Sequence, residues 1–246
     1  MARGTGKEFM EKTKYENMDS SDQSRGLPQP PLELPYDKSR TVVDLPKPPE
    51  VSVGDVSLRR AIEDRRSVRE YSDTPLTLDE LSWLLWSTQG VREVAGRNAT
   101  LRNVPSAGAR HAFETYVLVN RVDGLKPGIY RFLATEHKLV EVETGGSMAE
   151  KVSAACLGQR FVMASAATFI WTAVRYRMAW RYGERGYRYM HMGVGHACQN
   201  LYLAAEAIGS GVCAIGAFND DQLNGLLNID GEEHFAIYVA TVGKKR

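Results

Sequence analysis

Seven of the ten prolines in this chain fall within its first 50 residues: Pro28, Pro30, Pro31, Pro35, Pro46, Pro48 and Pro49. Each fixes its own φ, removes a backbone donor and pushes the residue before it into extended conformation. This stretch can therefore hardly form a helix or a central strand. Residues 1–54 read as an extended, proline-rich arm, and residues 55–246 as the folded domain. Only 13 of the first 50 residues are apolar. A disordered tail is one reading of that composition. Leu27, Leu32, Leu34 and Tyr36 recur through it, however, and large apolar residues so spaced favour an arm laid on another surface. A partner subunit is the expected surface.

The domain that follows is long enough for one sizeable core. Lys and Arg number 31 against 30 Asp and Glu, a formal net charge of +1. A protein whose affinity rests on nucleic acid or an anionic membrane would carry a large positive excess, so no nucleic-acid or membrane partner is expected. Three cysteines, Cys156, Cys198 and Cys213, form no C-x-x-C pair. That usage fits a reducing, cytoplasmic setting better than a disulfide scaffold or a cysteine-rich zinc site. The start, Met1-Ala2-Arg3-Gly4-Thr5-Gly6-Lys7-Glu8, lacks the apolar core of a secretory signal. No run reaches the eighteen apolar residues of a membrane span.

Periodicity then orders the elements. Leu58, Ala61 and Ile62 recur at helical spacing within 57–66. Thr77-Leu78-Asp79-Glu80 is a capping box opening a helix that presents Leu81, Leu84 and Leu85 and stops at Gly90. Residues 115–120 read as a strand, and 128–132 with 139–142 as a hairpin across 134–138. Ser147-Met148-Ala149-Glu150 reads as a second capping box. A buried strand over 167–174 precedes one long helix that runs through Ala207. A strand over 212–217, a helix from Asn219 to Leu227 and a strand over 235–242 close the chain. The mixture is α+β.

Five clusters could carry chemistry. Arg65-Arg66-Ser67-Val68-Arg69 packs three guanidiniums into five residues, which repel unless an anion sits between them. A solvated basic turn is the competing reading. Pro105-Ser106-Ala107-Gly108-Ala109 permits close backbone approach to a flat or anionic ligand, as ordinary turns also do. Gly209-Ser210-Gly211 and Ile215-Gly216-Ala217-Phe218-Asn219 pass from strand to helix without the G-x-G-x-x-G spacing of a dinucleotide fingerprint. Residues 175–189 interleave five Arg with five aromatics. That is the composition of a single-strand nucleic-acid platform, of a pocket for planar ligands, or of Arg stems packed over rings. His196, Gln199 and Asn200 share one helical face, which a metal or catalytic patch would also use, and read in preference as a hydrogen-bonded seam against another helix or subunit. No histidine pair has metal-ligand spacing and G-x-S-x-G is absent, so no metal site is expected.

In this order, from about Leu58 to Gly243, these segments resemble the nitroreductase family of FMN-dependent oxidoreductases. The SagB-type dehydrogenases are the most similar branch. The likeness rests on Arg65–Arg69, Val104–Ala109, Gly128-Ile129-Tyr130, Tyr182–Tyr189, Gly195-His196 with Gln199-Asn200, and Ala214–Phe218. Even Phe9–Tyr15 is similar to the leader of this branch. The resemblance implies an antiparallel sheet flanked by helices, in a homodimer with FMN at each subunit interface. Arg65, Arg66 and Ser67 would hold the flavin phosphate and ribityl chain. Arg69 would lie near the N1–C2 edge of the ring, where a fixed cation raises the reduction potential. Pro105, Ser106, Ala107 and Gly108 would approach the ring from the partner. Ile215, Gly216 and Ala217 would bring backbone amides to N5 and O4, and Lys244 or Lys245 would add a phosphate contact.

Two departures bear on the substrate. Peptide-azoline oxidases pair Lys with Tyr for proton handling, whereas this chain offers Arg181-Tyr182. A guanidinium stays protonated and cannot serve as a base, which argues against azoline dehydrogenation and leaves Tyr182 as the expected proton donor. After Ala109, Arg110-His111-Ala112 replaces the Leu-Tyr-Pro common in the branch, so the substrate mouth differs. The expected enzyme moves two electrons from a donor such as NAD(P)H to a small organic acceptor by a ping-pong cycle. Alternatives are an oxygen-using flavin oxidase or dehydrogenase of a peptide or small molecule, and a non-enzymatic nucleotide- or nucleic-acid-binding module built on residues 175–189.

Overall fold

Two strands buried along nearly their whole length organise the domain: β4 (Phe113–Val119) and β7 (Ala167–Val174). They lie side by side and antiparallel, with Val117 opposite Phe169. A computed structural model of the chain describes residues 4–96, 99–145 and 147–246. In chain order the elements are α1 (Thr5–Lys12), β1 (Val42–Asp44), α2 (Leu58–Asp64), α3 (Leu78–Gln89), β2 (Val91–Ala95), β3 (Ala99–Arg102), β4, β5 (Gly128–Leu133), β6 (Lys138–Thr144), α4 (Met148–Ala155), α5 (Phe161–Ala164), β7, α6 (Arg175–Tyr182), α7 (Gly186–Glu206), β8 (Ser210–Ile215), α8 (Asp220–Leu227) and β9 (His234–Lys244).

Seven strands form one antiparallel sheet in the order β1-β6-β5-β4-β7-β9-β8, and β2 with β3 forms a separate hairpin. The two-residue period of a strand sends alternate side chains to opposite faces. Val117, Val119, Phe169 and Trp171 join a core with Leu81, Leu84 and Leu85 of α3 and Met190, Val194 and Leu201 of α7. Tyr116, Leu118 and Ile170 face the other way, onto Met148 and Val152 of α4 and Leu223 and Leu227 of α8. The result is an α+β fold in which one antiparallel sheet lies between two helical layers. No helix among the described residues is long and apolar enough to cross a membrane.

Local signals hold where the backbone can use them. Thr77 and Glu80 complete the capping box of α3 reciprocally, and Asn219 caps α8 through Gln222 N at 2.9 Å. Ser147 does not cap α4: its ψ of 6° is not the extended geometry of an N-cap, and its side chain makes no capping bond. The long helix expected after β7 is broken. Gly183 at φ +49° ends α6, a turn of 3₁₀ helix follows, and α7 starts at Gly186. A Cβ on Gly186 would fall 3.1 Å from Met178 Cγ, so the missing side chain lets the two helices meet closely.

The arm is not extended throughout: Thr5–Lys12, well ahead of its first proline, is helical as α1, and the stretch that follows lies along its own chain. Gln23 N donates to Trp180 O, and Trp180 Nε1 donates to Leu27 O. Arg177 Nε reaches Pro31 O, and Arg131 holds the Leu34 and Pro35 carbonyls. At its end, β1 pairs with β6 as an edge strand, the one sheet position an arm so rich in proline tolerates.

Candidate functional site

The basic cluster is carried to the free edge of β8. Val68 N donates to Val212 O at 2.9 Å and Ser67 bridges Val212 in parallel. Gly211 permits this approach, because a Cβ there would fall 2.5 Å from Val68 Cγ2. Tyr71 locks the segment's far end, with its hydroxyl 2.7 Å from both Val68 O and Thr241 Oγ1. Arg66, Ser67 and Arg69 are exposed and Arg65 half-buried. Among the described residues, none of the three guanidiniums forms an ion pair with a carboxylate.

Tyr202 of α7 is the hub beneath this cluster. Its hydroxyl lies 3.0 Å from Ser67 Oγ and accepts from Ala214 N at 2.9 Å, while Arg65 lies over its ring at 5.1 Å. Sequence reasoning passed over Tyr202. Its place in the otherwise apolar run 201–205 was the available signal, since a buried hydroxyl needs a partner. Ile215 is buried at the end of β8, and Gly216 and Ala217 emerge exposed beside it. Gln159 Nε2 fixes that exit by donating to Ala217 O at 3.0 Å. Phe161, next along, lies 6.0 Å beneath Arg69. This first locus thus brings Arg65, Arg66, Ser67 and Arg69 to the strand that delivers Ile215, Gly216 and Ala217.

The two C-terminal lysines reach the same edge with their charges already matched. Lys244 pairs with Glu80 and also donates to Ile208 O, while Lys245 pairs with Glu206 at 2.5 Å. The phosphate role expected of them meets this obstacle: a carboxylate already sits on each ammonium.

The second locus is the loop Pro105–Gly108. Ser106 Oγ accepts from His111 N at 3.0 Å, and Gly108 adopts φ +57°. Pro105, Ser106 and Ala107 line a cavity of about 130 Å³ with Tyr189, Met192 and His196 of α7. Tyr182 packs edge-on against Tyr189 at 4.9 Å, and its hydroxyl lies where a Cβ of Gly108 would be, 2.6 Å from that point. Arg181 lies over the Tyr182 ring at 5.6 Å. The break at Gly183 keeps both side chains beside this loop rather than on a continuous rod.

Within one chain the two loci are separate. Tyr202 anchors the first and Tyr189 the second, thirteen positions apart on α7, or about 20 Å at the helical rise. The face of α7 between them carries exposed Met192, Gly195, His196 and Gln199. Of the expected seam, only Asn200 bonds inward, to Ser87 O at 2.9 Å. His196 and Gln199 face outward.

The Arg-rich stretch is largely committed elsewhere. Arg175 pairs with Glu233 and Arg177 with Glu114. Arg185 donates to Thr13 O at 2.7 Å and Arg188 to Thr13 Oγ1 at 2.6 Å. A single-strand platform needs these groups free, so their arrangement opposes the nucleic-acid reading. Among the described residues no cluster of His, Cys, Asp and Glu is arranged to hold a metal ion.

Comparison with known proteins adds a family. The sequence model of the nitroreductase family matches residues 62–244. A Methanocaldococcus jannaschii protein named as a nitroreductase, MJ1384, is 36% identical over 203 residues, spanning 82% of this chain and 96% of its own. The crystal structure of a nitroreductase from Ralstonia eutropha superimposes with a TM-score of 0.69 at 25% identity, covering 89% of this chain and 95% of that one. One from Anabaena variabilis gives 0.69 at 28% identity; it covers 85% of this chain, which spans only 42% of that protein.

Proposed function

From a chain that belongs to the nitroreductase family and is an oxidoreductase, we propose an FMN-dependent enzyme of the SagB-type branch, working as a homodimer. It moves two electrons from a donor such as NAD(P)H to a small organic acceptor. The observation that carries this reading is the set of three guanidiniums without carboxylates, Arg65, Arg66 and Arg69, held with Ser67 on the edge strand that ends in exposed Gly216 and Ala217. That arrangement fits a phosphate followed by a flat ring. FMN would supply the two-electron carrier there, and the protein supplies position and electrostatics.

Each residue then has a task. Arg65, Arg66 and Ser67 would hold the phosphate, the arginines through forked, charge-assisted hydrogen bonds. Arg69 would add a fixed positive charge beside the ring, and Gly216 and Ala217 would offer it backbone amides. Tyr182 holds the proton at its hydroxyl, and Arg181 keeps that neighbourhood cationic. Distance supports the dimer. The two loci of one chain lie about 20 Å apart along α7, so Pro105–Gly108 of a second copy would complete the site. The exposed α7 face, with Leu58 and Ile62 exposed on neighbouring α2, supplies the contact surface.

The test is the visible spectrum of gently purified protein, with any released chromophore identified by mass. FMN is the expected result, followed by NADH or NADPH consumption when an acceptor is added. A colourless protein that also fails to take up added FMN overturns the reading.

A further inference from the structure

Arg110 and Arg181 converge on Gly108. Arg110 Nε donates to the Gly108 carbonyl at 3.2 Å, and its guanidinium lies 5.3 Å over the Trp180 ring. On the other side of Gly108, the point a Cβ would occupy is 3.1 Å from Arg181 Nη1 and 2.6 Å from Tyr182 Oη. Arg110 is lowered from the ordinary arginine pKa, first by burial and then by the charge of Arg181. Neither forms an ion pair among the described residues. Two like charges brought together beside a candidate proton donor call for an anion.

A cavity opens beside Arg181, with Arg110 outside its wall. It measures about 260 Å³, with Arg181, Tyr182 and Arg185 on one wall and Tyr15, Met18, Asp19 and Ser21 of the N-terminal segment on the other. That second wall is fastened in place. Arg185 donates to Thr13 O and lies over both Tyr15 and Tyr189, and Gln23 N donates to Trp180 O. The volume suits a small planar body, below the usual range for cofactor-sized ligands. Two tyrosine rings and a methionine offer it apolar surface.

We propose that Arg181, walled in by Tyr15, Met18, Asp19 and Ser21 and reinforced by the charge of Arg110 behind it, forms the subsite for the carboxylate of the acceptor substrate, a small planar organic acid. The proposal rests on the reading above in that Tyr182 marks the reacting end. The forked guanidinium matches a carboxylate in plane, and Tyr182 borders the rest of the molecule. Asp19 lines the same cavity, opposes the incoming charge and so moderates affinity.

The test uses the full chain and two probes of like shape, benzoate and benzyl alcohol, with binding read from ligand NMR line broadening. The flavin content of every sample is read separately from its visible band. Benzoate is expected to bind at least tenfold more tightly than the alcohol. R181Q should weaken benzoate by about tenfold, and R110Q, whose charge acts from outside the cavity, by about two- to threefold, while both leave alcohol binding and the flavin band in place. D19N should tighten benzoate by about two- to threefold, a gain that damaged folding cannot produce. Equal binding of the two probes, indifference of benzoate to both arginine variants, or weaker binding in D19N would each overturn the proposal. Flavin-free protein that still prefers benzoate through these arginines would uphold the subsite and count against the cofactor reading. Flavin-loaded protein without that preference would do the reverse.

Discussion

Glu114 and Arg177 meet at 2.6 Å deep inside the protein, with side chains only 3% and 2% exposed. Glu114 also accepts from Leu34 N at 2.9 Å, so the same carboxylate joins β4, α6 and the arm. Removing one partner leaves an uncompensated buried charge, at a cost of about 3–5 kcal/mol. Arg177→Met should lower the urea midpoint by that equivalent and make the arm sensitive to limited proteolysis. Adding Glu114→Leu should recover much of the loss.

Arg65→Ala and Arg66→Ala should each weaken FMN binding by about tenfold or more, the worth of a charge-assisted hydrogen bond. Lys245→Ala should do far less, because its ammonium already pairs with Glu206. Titration of FMN fluorescence separates the two outcomes. Equal effects at all three positions would restore the lysine to the phosphate site.

Tyr182→Phe should cut turnover by about a hundredfold, the scale of one general acid, while FMN stays bound. Rapid-mixing absorbance during donor and acceptor half-reactions would show which half slows. An unchanged rate would remove Tyr182 from proton handling.

Gly195 is exposed on the open face of α7, and a Cβ there would meet nothing within 4 Å. A single chain therefore has room for Gly195→Trp, whereas two α7 faces packed together do not. Light scattering should report a monomer, and FMN should be lost with the dimer. A dimeric, flavin-loaded variant would place the subunit contact elsewhere.

Two histidines are held neutral, His111 pushed down to about 3 by burial and the nearby Arg102 charge, and His234 to about 4 chiefly by burial. Unfolded, each titrates near about 6.5. Between that value and the folded one, the unfolded chain binds the extra proton, so stability is full above pH about 6.5 and falls as pH drops toward 4. Each unit of depression is worth about 1.4 kcal/mol. Urea midpoints measured across this window should decline steeply, and His111→Asn with His234→Asn should flatten the slope.

Strand β7, the β5–β6 hairpin and the caps of α3 and α8 were legible because each follows from residues adjacent in sequence. The break at Gly183 was written as two glycines three apart, yet the apolar run on either side outweighed them. Ser147 carried the right side chain on the wrong backbone. The β2–β3 hairpin went unread, because β2 has no alternation of apolar residues and the buried positions of β3 are polar, Thr100 and Arg102. At the site, the basic cluster and the small-residue loop stood out by composition. Tyr202 and Gln159 did not, because their roles come from partners brought in by tertiary packing. The arm's own-chain course was equally unreadable, since apolar spacing says that a surface is covered but not whose.

The arm covers the outer side of β6 with residues 41–44, whereas the free edge of β8 meets the chain only at Ser67 and Val68. A bare strand margin pairs with whatever extended segment it meets. The arm thus governs colloidal behaviour as well as pocket shape. A shortened protein starting at residue 55 would keep every strand from β4 to β9 yet expose β6 as a template. Such a fragment should cloud and precipitate on storage while the full-length chain stays clear.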